Sequence, residues 1–368
     1  MNNQTEVVIQ VIQKPNIDDF KEIDNFIDFV QYPVQVNSIW YSNYFKFFHP
    51  KTLFLKCKNS HNNNCIGILP LEIVHRKGTR FWNHRIMQPF GGETLDFFEP
   101  LILPGFDEIF AYEIVNWFLI NKDQWEEINF YPLPNVSPIA KLLKIFFIQK
   151  GFRVIDAKKR HYYKIDTTEE WEKYNERFLN KKLSDLKNRK NRLTRDGLRI
   201  QVHHYYENIG GFLPELFDLY IKRREGLEQE FGLSSEIKRR FLSEITKAYQ
   251  LNNEVVLSIL QTDDHQTMAM QLDFLVNGIR YHYAPTFNSV FSKYSPSKIL
   301  LYETLKESFT NPMINEFNFM RGESTYKSQF ADQLENYNNF KVVNPFSTRE
   351  KFTHLASKIT KFRDKILH

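Results

Sequence analysis

Residues 267–287 read TMAMQLDFLV-NG-IRYHYAPTF, and the chain runs on through SPSKILLYETLKESF at 295–309 to NEFNFMRGESTYKSQF at 315–330. Residues 268–276 and 279–287 are dense in β-branched, aromatic and other apolar side chains, the composition of strands. Asn277-Gly278 between them is the dipeptide that best accepts two consecutive positive φ angles, so the two runs predict a hairpin. Ser295 or Ser297 can cap a helix whose apolar positions are Ile299, Leu300, Leu301, Leu305 and Phe309. Residues 316–320 (EFNFM) read as a further strand. This order places a helix N-terminus directly behind a strand pair. Unpaired N–H groups and a partial positive charge at such an end suit a pyrophosphate. Tyr294-Ser295-Pro296-Ser297-Lys298 adds hydroxyls, a proline that presets the first turn, and a lysine.

The rest of the chain bounds what this stretch can serve. With 368 residues, 42% of them hydrophobic, and 34 Phe, there is material for two packed domains. The 13 Gly are few against roughly 7% in ordinary proteins, and neither GxxxxGK(S/T) nor GxGxxG occurs, which argues against glycine-rich nucleotide loops. A formal net charge of +5 suits an anionic ligand or surface without calling for nucleic acid. Cys57 and Cys65 flank a polar loop, KNSHNNN, and read as two reduced thiols packed as small hydrophobes. The N-terminus carries no basic segment followed by an apolar core, and no apolar run approaches the roughly 18 residues of a spanning helix. A cytoplasmic location is the expectation.

Along the first half, residues 7–11 read as a strand, 17–30 and 40–48 as helices, and 52–57 with 65–74 as a hairpin. A strand-like segment at 80–90 leads into QPFGGETLDFFEPLILPG at 88–105, where Gly91-Gly92 permits a sharp turn. Helices at 107–120 and 137–150 alternate with a strand at 126–131. Short strands at 152–155 and 161–165 close this half. Residues 171–193 read as one long helix. Between Arg177 and Arg199 nine Lys or Arg face only Asp185 and Asp196. Such a run is either a solvated helix face or an edge that helps hold a phosphorylated ligand. Interleaved aromatics at base-stacking spacing are few, so DNA is not an expected partner. His203-His204 alternates faces of a strand and cannot hold a metal from one side. Helices at 213–226 and 235–250 and a strand at 254–260 lead back to the opening stretch. The two halves share a coarse pattern, as in a weak internal duplication. The tail from 349 to 368 carries Phe352, Leu355, Ile359, Phe362 and Ile366 in a helical stripe with six basic residues. It reads as docked on the protein body, the alternative being peripheral contact with an anionic membrane.

The segment from about Arg177 to Lys327 resembles the CelD/BcsL acetyltransferase family of the GNAT superfamily, found in bacterial polysaccharide biosynthesis clusters. The matching features are the basic helix followed by Asp196-Gly197, the strand–NG–strand LDFLVNGIRYHYAPTF, the YSPS helix start with Leu300-Leu301 behind it, and the closing FNFMRGESTYKSQF. FGGETLDFFEPLI in the first half resembles the same family. The fold implied is α+β, two tandem GNAT-like domains as in the related Fem peptidyltransferases, each a mixed, mostly antiparallel sheet flanked by helices. The expected domains are 1–166, 167–346 with acyl-CoA binding, and a C-terminal basic amphipathic helix at 347–368. The activity implied is acyl-CoA-dependent acyl transfer, N-acetylation in type, to an amino sugar or surface-polysaccharide precursor, with no metal. For the base the candidates are Asp273 and Glu323, and for the acid Tyr283 and Tyr326. Tyr294, Ser295, Ser297, Lys298 and Lys327 are the cofactor-binding candidates, and His282 reads as packing. Two departures stand out: Ser297 replaces the family's usual glycine after Ser-Pro, and Asn318 stands where Phe-Asp-Phe is common. They favour a non-catalytic GNAT-fold binding protein as one alternative. The other is a Fem-type transferase using aminoacyl-tRNA, the only reading in which tRNA is a partner.

Overall fold

The computed structural model describes residues 6–77, 83–135, 137–158, 160–179, 184–225, 232–322 and 324–347. The chain divides into two compact units. One is built mainly on residues up to 159 together with a segment that begins at 336, the other mainly on 160–335. No helix among the described residues is long and apolar enough to cross a membrane. The tail helix expected at 347–368 lies, but for its first residue, outside the described residues.

The first unit holds β1 (Val7–Ile12), α1 (Ile17–Lys21), α2 (Ser38–Phe48), β2 (Thr52–Asn59), β3 (Cys65–Lys77), β4 (Asn83–Pro89) and β5 (Leu101–Ile102). It continues with α3 (Asp107–Ile120), β6 (Glu127–Phe130), α4 (Pro138–Gln149) and β7 (Arg153–Asp156). Asn16 starts α1 with a capping box, its side chain accepting from the N–H groups of Asp18 and Asp19 while Asp19 reaches back to it. The helix expected over 17–30 tightens into a 3-10 turn at Glu22–Phe29, which still buries Ile23 and Phe26. The sheet runs β1-β2-β3-β4-β6-β15-β7, where β15 is Phe340–Val343, with β5 on β3. All its registered pairs are antiparallel except β4 with β6, which run parallel at Ile86↔Glu127 and Met87↔Ile128. The strand between β6 and β7 comes from the far end of the chain: β15 (Phe340–Val343) pairs with both. Cys57 and Cys65 are free thiols.

The second unit contains β8 (His161–Asp166), α5 (Trp171–Tyr174), α6 (Ser184–Arg195), β9 (Ile200–Tyr205), α7 (Leu213–Lys222) and α8 (Glu236–Gln250). Then come β10 (Val255–Thr262), β11 (Thr267–Val276), β12 (Ile279–Phe287), α9 (Pro296–Thr310), β13 (Glu316–Arg321), α10 (Lys327–Phe330) and β14 (Gln333–Asn336). Its sheet order is β14-β8-β13-β12-β11-β10-β9. The hairpin forms where the sequence places it, with Asn277 at φ +50° and Gly278 at φ +73°. The long helix expected over 171–193 is helical at each of its described residues, with α5 passing into a π-helical turn at Asn175–Leu179 and α6 described from Ser184. β8, expected to close the first half, pairs instead with β13. Trp171, Tyr174, Ile299, Leu301, Leu305, Phe317, Phe319 and Phe330 belong to one buried cluster beneath α9, each worth about 1.5–3 kcal/mol of transfer free energy on burial.

One feature of this sheet positions everything that follows. β12 and β13 run parallel, but their register covers only Ile279↔Glu316, Arg280↔Phe317 and Tyr281↔Asn318. Beyond Tyr281, β12 stays paired to β11 as far as Phe287, while β13 turns away. Met320 takes φ +56° and Gly322 φ +124°, conformations that curl the strand end. The sheet therefore splits open between two parallel strands, and α9 starts at the mouth of the split.

Candidate active site

The split leads into a cavity of about 750 Å³ bounded by β12, the start of α9, the end of β13 and the residues just past α7. β12 contributes His282, Tyr283, Pro285 and Phe287, and the α9 start contributes Ser295, Pro296, Ser297 and Lys298. Adjacent strand residues ordinarily face opposite ways. His282 and Tyr283 both reach the cavity because β12 carries a bulge there: Leu272 pairs with Ala284 but Asp273 with His282, leaving Tyr283 as the extra residue.

α9 starts where the sequence places it, but neither Ser295 nor Ser297 caps it. Ser295 sits in the left-handed region (φ +53°, ψ +54°), Pro296 follows as the first helical residue, and no side chain caps the helix end. Ser297 Oγ is buried with no hydrogen-bond partner. Five cations line the cavity: Arg223, Arg224, Lys298, Arg321 and Lys327. Among the described lining residues there is no carboxylate. Helix dipole, orphan hydroxyl and basic rim together favour a multiply charged anion. The donor set fits the pyrophosphate of a coenzyme A, and the volume fits a ligand of substantial size.

The remaining cofactor-binding candidates have other work. Tyr294 is buried away from the cavity lining and donates its hydroxyl to Asp196 at 2.5 Å, where Lys293 also pairs at 2.9 Å. Together with Arg189, whose guanidinium donates to the Lys293 carbonyl at 2.8 Å, this fastens the loop before α9 to the end of α6. Lys327 is buried and turns its ammonium onto the carbonyls of Phe319 (2.7 Å) and Arg321 (2.8 Å), with Met320 at 3.4 Å. Its charge satisfies the curled end of β13. Gly322 lies so close that an added Cβ would meet Lys327 Nζ at 3.3 Å.

Of the acid–base candidates, Tyr283 and Tyr326 line the cavity and Asp273 does not; Glu323 lies outside the described residues. Burial pushes the Tyr326 hydroxyl up to about 12, so it is protonated at neutral pH and can donate. Asp273 is fully buried on β11. Its Oδ2 accepts from Arg280 Nε at 2.8 Å and from Gln271 Nε2 at 2.6 Å, and its Oδ1 meets His282 Nδ1 at 3.3 Å. Arg280, also fully buried, reaches Glu307 and Ser308 of α9 and Ser258 of β10. Burial opposes ionisation of Asp273, but Arg280 and then His282 outweigh it and hold the carboxyl below the ordinary carboxylate range. Asp273 is thus a fixed anion under the cavity floor, the reverse of an exposed strand carboxylate.

Sequence reading missed His282. It is 4% exposed, and its Nε2 has no partner while the ring lines the cavity. Burial, foremost, holds its imidazole below the usual value against the opposing pull of Asp273. The signal that would have found it is the cross-strand register: a polar residue on each strand of an NG hairpin, brought opposite by a bulge that spacing alone does not reveal.

Comparison with known proteins agrees with this geometry. Residues 180–328 match the family described as Acetyltransferase (GNAT) domain. The chain is similar to FemX, at 9% identity and a TM-score of 0.58 over 90% of this chain and 96% of that one. It is likewise similar to a conserved protein of unknown function from Bacteroides thetaiotaomicron VPI-5482, at 9% identity and a TM-score of 0.57 over 92% of this chain and 100% of that one. At such identities the likeness is one of fold. No curated protein matches by sequence. Each unit holds a mixed sheet flanked by helices, as tandem GNAT-like domains do, and residues 180–328 are those of a GNAT acetyltransferase domain, a type of acyltransferase.

Proposed function

We propose that the second unit transfers an acyl group from acyl-coenzyme A to the amine of an amino sugar or surface-polysaccharide precursor, as the CelD/BcsL resemblance implies. The observation that carries the donor half is the split sheet, where an uncapped helix end and a basic rim open on one cavity. Ser295, Ser297 and Lys298 would hold the pyrophosphate at the start of α9. The acyl chain would follow the split toward β12, where backbone N–H groups no longer committed to β13 can polarise a thioester carbonyl. Tyr326, kept protonated by burial, would supply the proton that the departing thiolate needs. The acceptor rests on the resemblance alone.

Calorimetric titration with acetyl-coenzyme A, free coenzyme A and aminoacyl-tRNA tests this reading. Binding of both coenzyme A species is the expected result. Heat with aminoacyl-tRNA alone would favour the Fem-type reaction, and a folded protein that binds none of the three would have neither activity. Tyr326→Phe should lower turnover by roughly 10- to 100-fold while leaving coenzyme A affinity within about twofold, the signature of a group that acts in the transition state. Unchanged turnover removes Tyr326 from the mechanism.

A further inference from the structure

We infer that His282 is the catalytic base that activates the acceptor, with Asp273 as its positioning residue, an assignment that rests on the acyl-transfer reading above. The argument begins with placement. The last registered pair between the parallel strands is Tyr281↔Asn318, so His282 is the first residue of β12 beyond the fork of the sheet. Any thioester lying along the split must end beside it.

Orientation follows from chemistry. A carboxylate held ionised by Arg280 can only accept, so the 3.3 Å contact fixes the Asp273-facing nitrogen, Nδ1, as the N–H. Nε2 then carries the lone pair, and this atom is the one without a partner at the cavity. The ring packs against both Phe317 and Phe319, at centroid distances of 5.8 and 5.6 Å, with Tyr326 at 6.3 Å. Asp273 is held in turn by Arg280, and Arg280 by Glu307 and Ser308. A buried, unpaired ring nitrogen is ordinarily destabilising. The surrounding apparatus fixes this nitrogen in a cavity whose described lining holds no carboxylate to do the same work. The charged and titratable groups bearing on the imidazole are Asp273 from β11, Arg280 from β12 and Lys327 from α10, with Tyr326 alongside.

In the reaction, the acceptor nitrogen forms a bond to the thioester carbonyl carbon as its proton passes to His282 Nε2. The tetrahedral intermediate then expels the sulfur, breaking the C–S bond, and the thiolate takes the Tyr326 proton. The imidazolium returns its proton through solvent to the tyrosinate, so both groups end as they began.

The test follows thiol release from acetyl-coenzyme A, with glucosamine as acceptor and with water alone, alongside calorimetric binding of coenzyme A. His282→Gln should cut release by roughly 100- to 10,000-fold while coenzyme A binds within about twofold of the native protein. The native pH–rate profile should fall on the acid side through a limb below about 6.5, the ordinary imidazole value, and Asp273→Asn should move that limb lower still. A purely structural histidine would move none of these. Independently of turnover, spectra of ¹⁵N-histidine-labelled native protein at pH 7 should show this ring protonated at Nδ1 and bare at Nε2. The assignment is overturned if His282→Gln releases thiol within threefold of native, if Nε2 carries the proton, or if Glu323→Gln abolishes release where His282→Gln does not. In each case native binding of coenzyme A leaves the acyl-transfer reading standing. A native protein that binds no coenzyme A overturns that reading and this inference together.

Discussion

The two sheets solve the same topological problem and end differently. Each has one short parallel pair, β4 with β6 and β12 with β13, joined by a connection that contains a helix. Parallel strands need such a crossover, and in both units the pair diverges after two or three residues. In the second unit the fork stays open and leads into the cavity. In the first, the chain fills its own fork. Leu95 lies against the spot just past β4, within 2.7 Å of where a Cβ on Gly91 would be. Phe98 donates its N–H to the Pro132 carbonyl just past β6 at 2.8 Å. Gln35 Oε1 accepts from the backbone of Asp96 and Phe97, and Tyr32 stacks on Phe97 at 4.3 Å. One buried carboxylate of this unit, Glu72, is satisfied by Tyr44 and Gln88, whereas His282 in the other keeps an idle nitrogen. One fork is open and its counterpart is filled, and the difference lies in the crossover, which reaches α9 at Pro296 soon after β12 ends at Phe287 but lays residues 91–98 across the other gap long before α3.

Substitutions can press on that contrast. The largest expected effect is Arg280→Met, which leaves Asp273 buried without its counter-charge and should cost about 3–5 kcal/mol in denaturant unfolding. A loss under 1 kcal/mol would mean that the polar floor is not structural. Leu95→Ala should cost roughly 3 kcal/mol through the cavity it leaves at a fully buried site. It should confer no coenzyme A binding on the first unit, because α3 opens with Asp107 and Glu108, whose charges repel a phosphate from that helix end.

Glu99, buried in the same segment, sharpens the comparison through pH. Burial, despite a hydrogen bond from the Gln31 N–H, pushes its carboxyl up to about 7. A folded-state value above the unfolded value of about 4.3 means that the folded state holds the extra proton between those pH values. Stability is therefore greatest below about pH 4.3 for this group and is lost as pH rises toward 7 and beyond. Glu99→Gln should remove that slope and stabilise at pH 8 by up to about 3 kcal/mol; equal slopes in the two proteins would refute it. The smallest effect, about 1–2 kcal/mol, is expected in the open fork. Ser297→Glu sets a negative charge at the start of α9, where it repels an incoming phosphate, and should weaken coenzyme A binding roughly tenfold. Unaltered affinity would place the phosphates elsewhere.

Legibility was uneven, for identifiable reasons. The NG hairpin, the α9 start and the β13 strand were readable because turn chemistry, Ser-Pro and apolar period are local signals. Within the helix expected over 171–193, the π-helical turn at Asn175–Leu179 is not legible because periodicity does not register it. Asp273, a base candidate in the sequence, lies apart from the cavity lining where Arg280 covers it from the next strand, and the place of His282 at the cavity is hidden from the sequence because the bulge at Tyr283 changes which side chains reach it. Lys327 looked like a phosphate ligand because nothing local records that Met320 and Gly322 turn three carbonyls toward it.

By itself, then, the sequence determined the order of elements, the mixed α+β class and the position of an anion-suited helix end, all set by backbone preferences within a few residues of one another. Only the tertiary structure decided that β15 completes the first sheet, that β8 belongs to the second, and that one fork is open and the other filled. The same holds for the line from Glu307 through Arg280 and Asp273 to His282. These depend on which residues distant in sequence share a register, and pairing energies at that range leave no mark in local pattern.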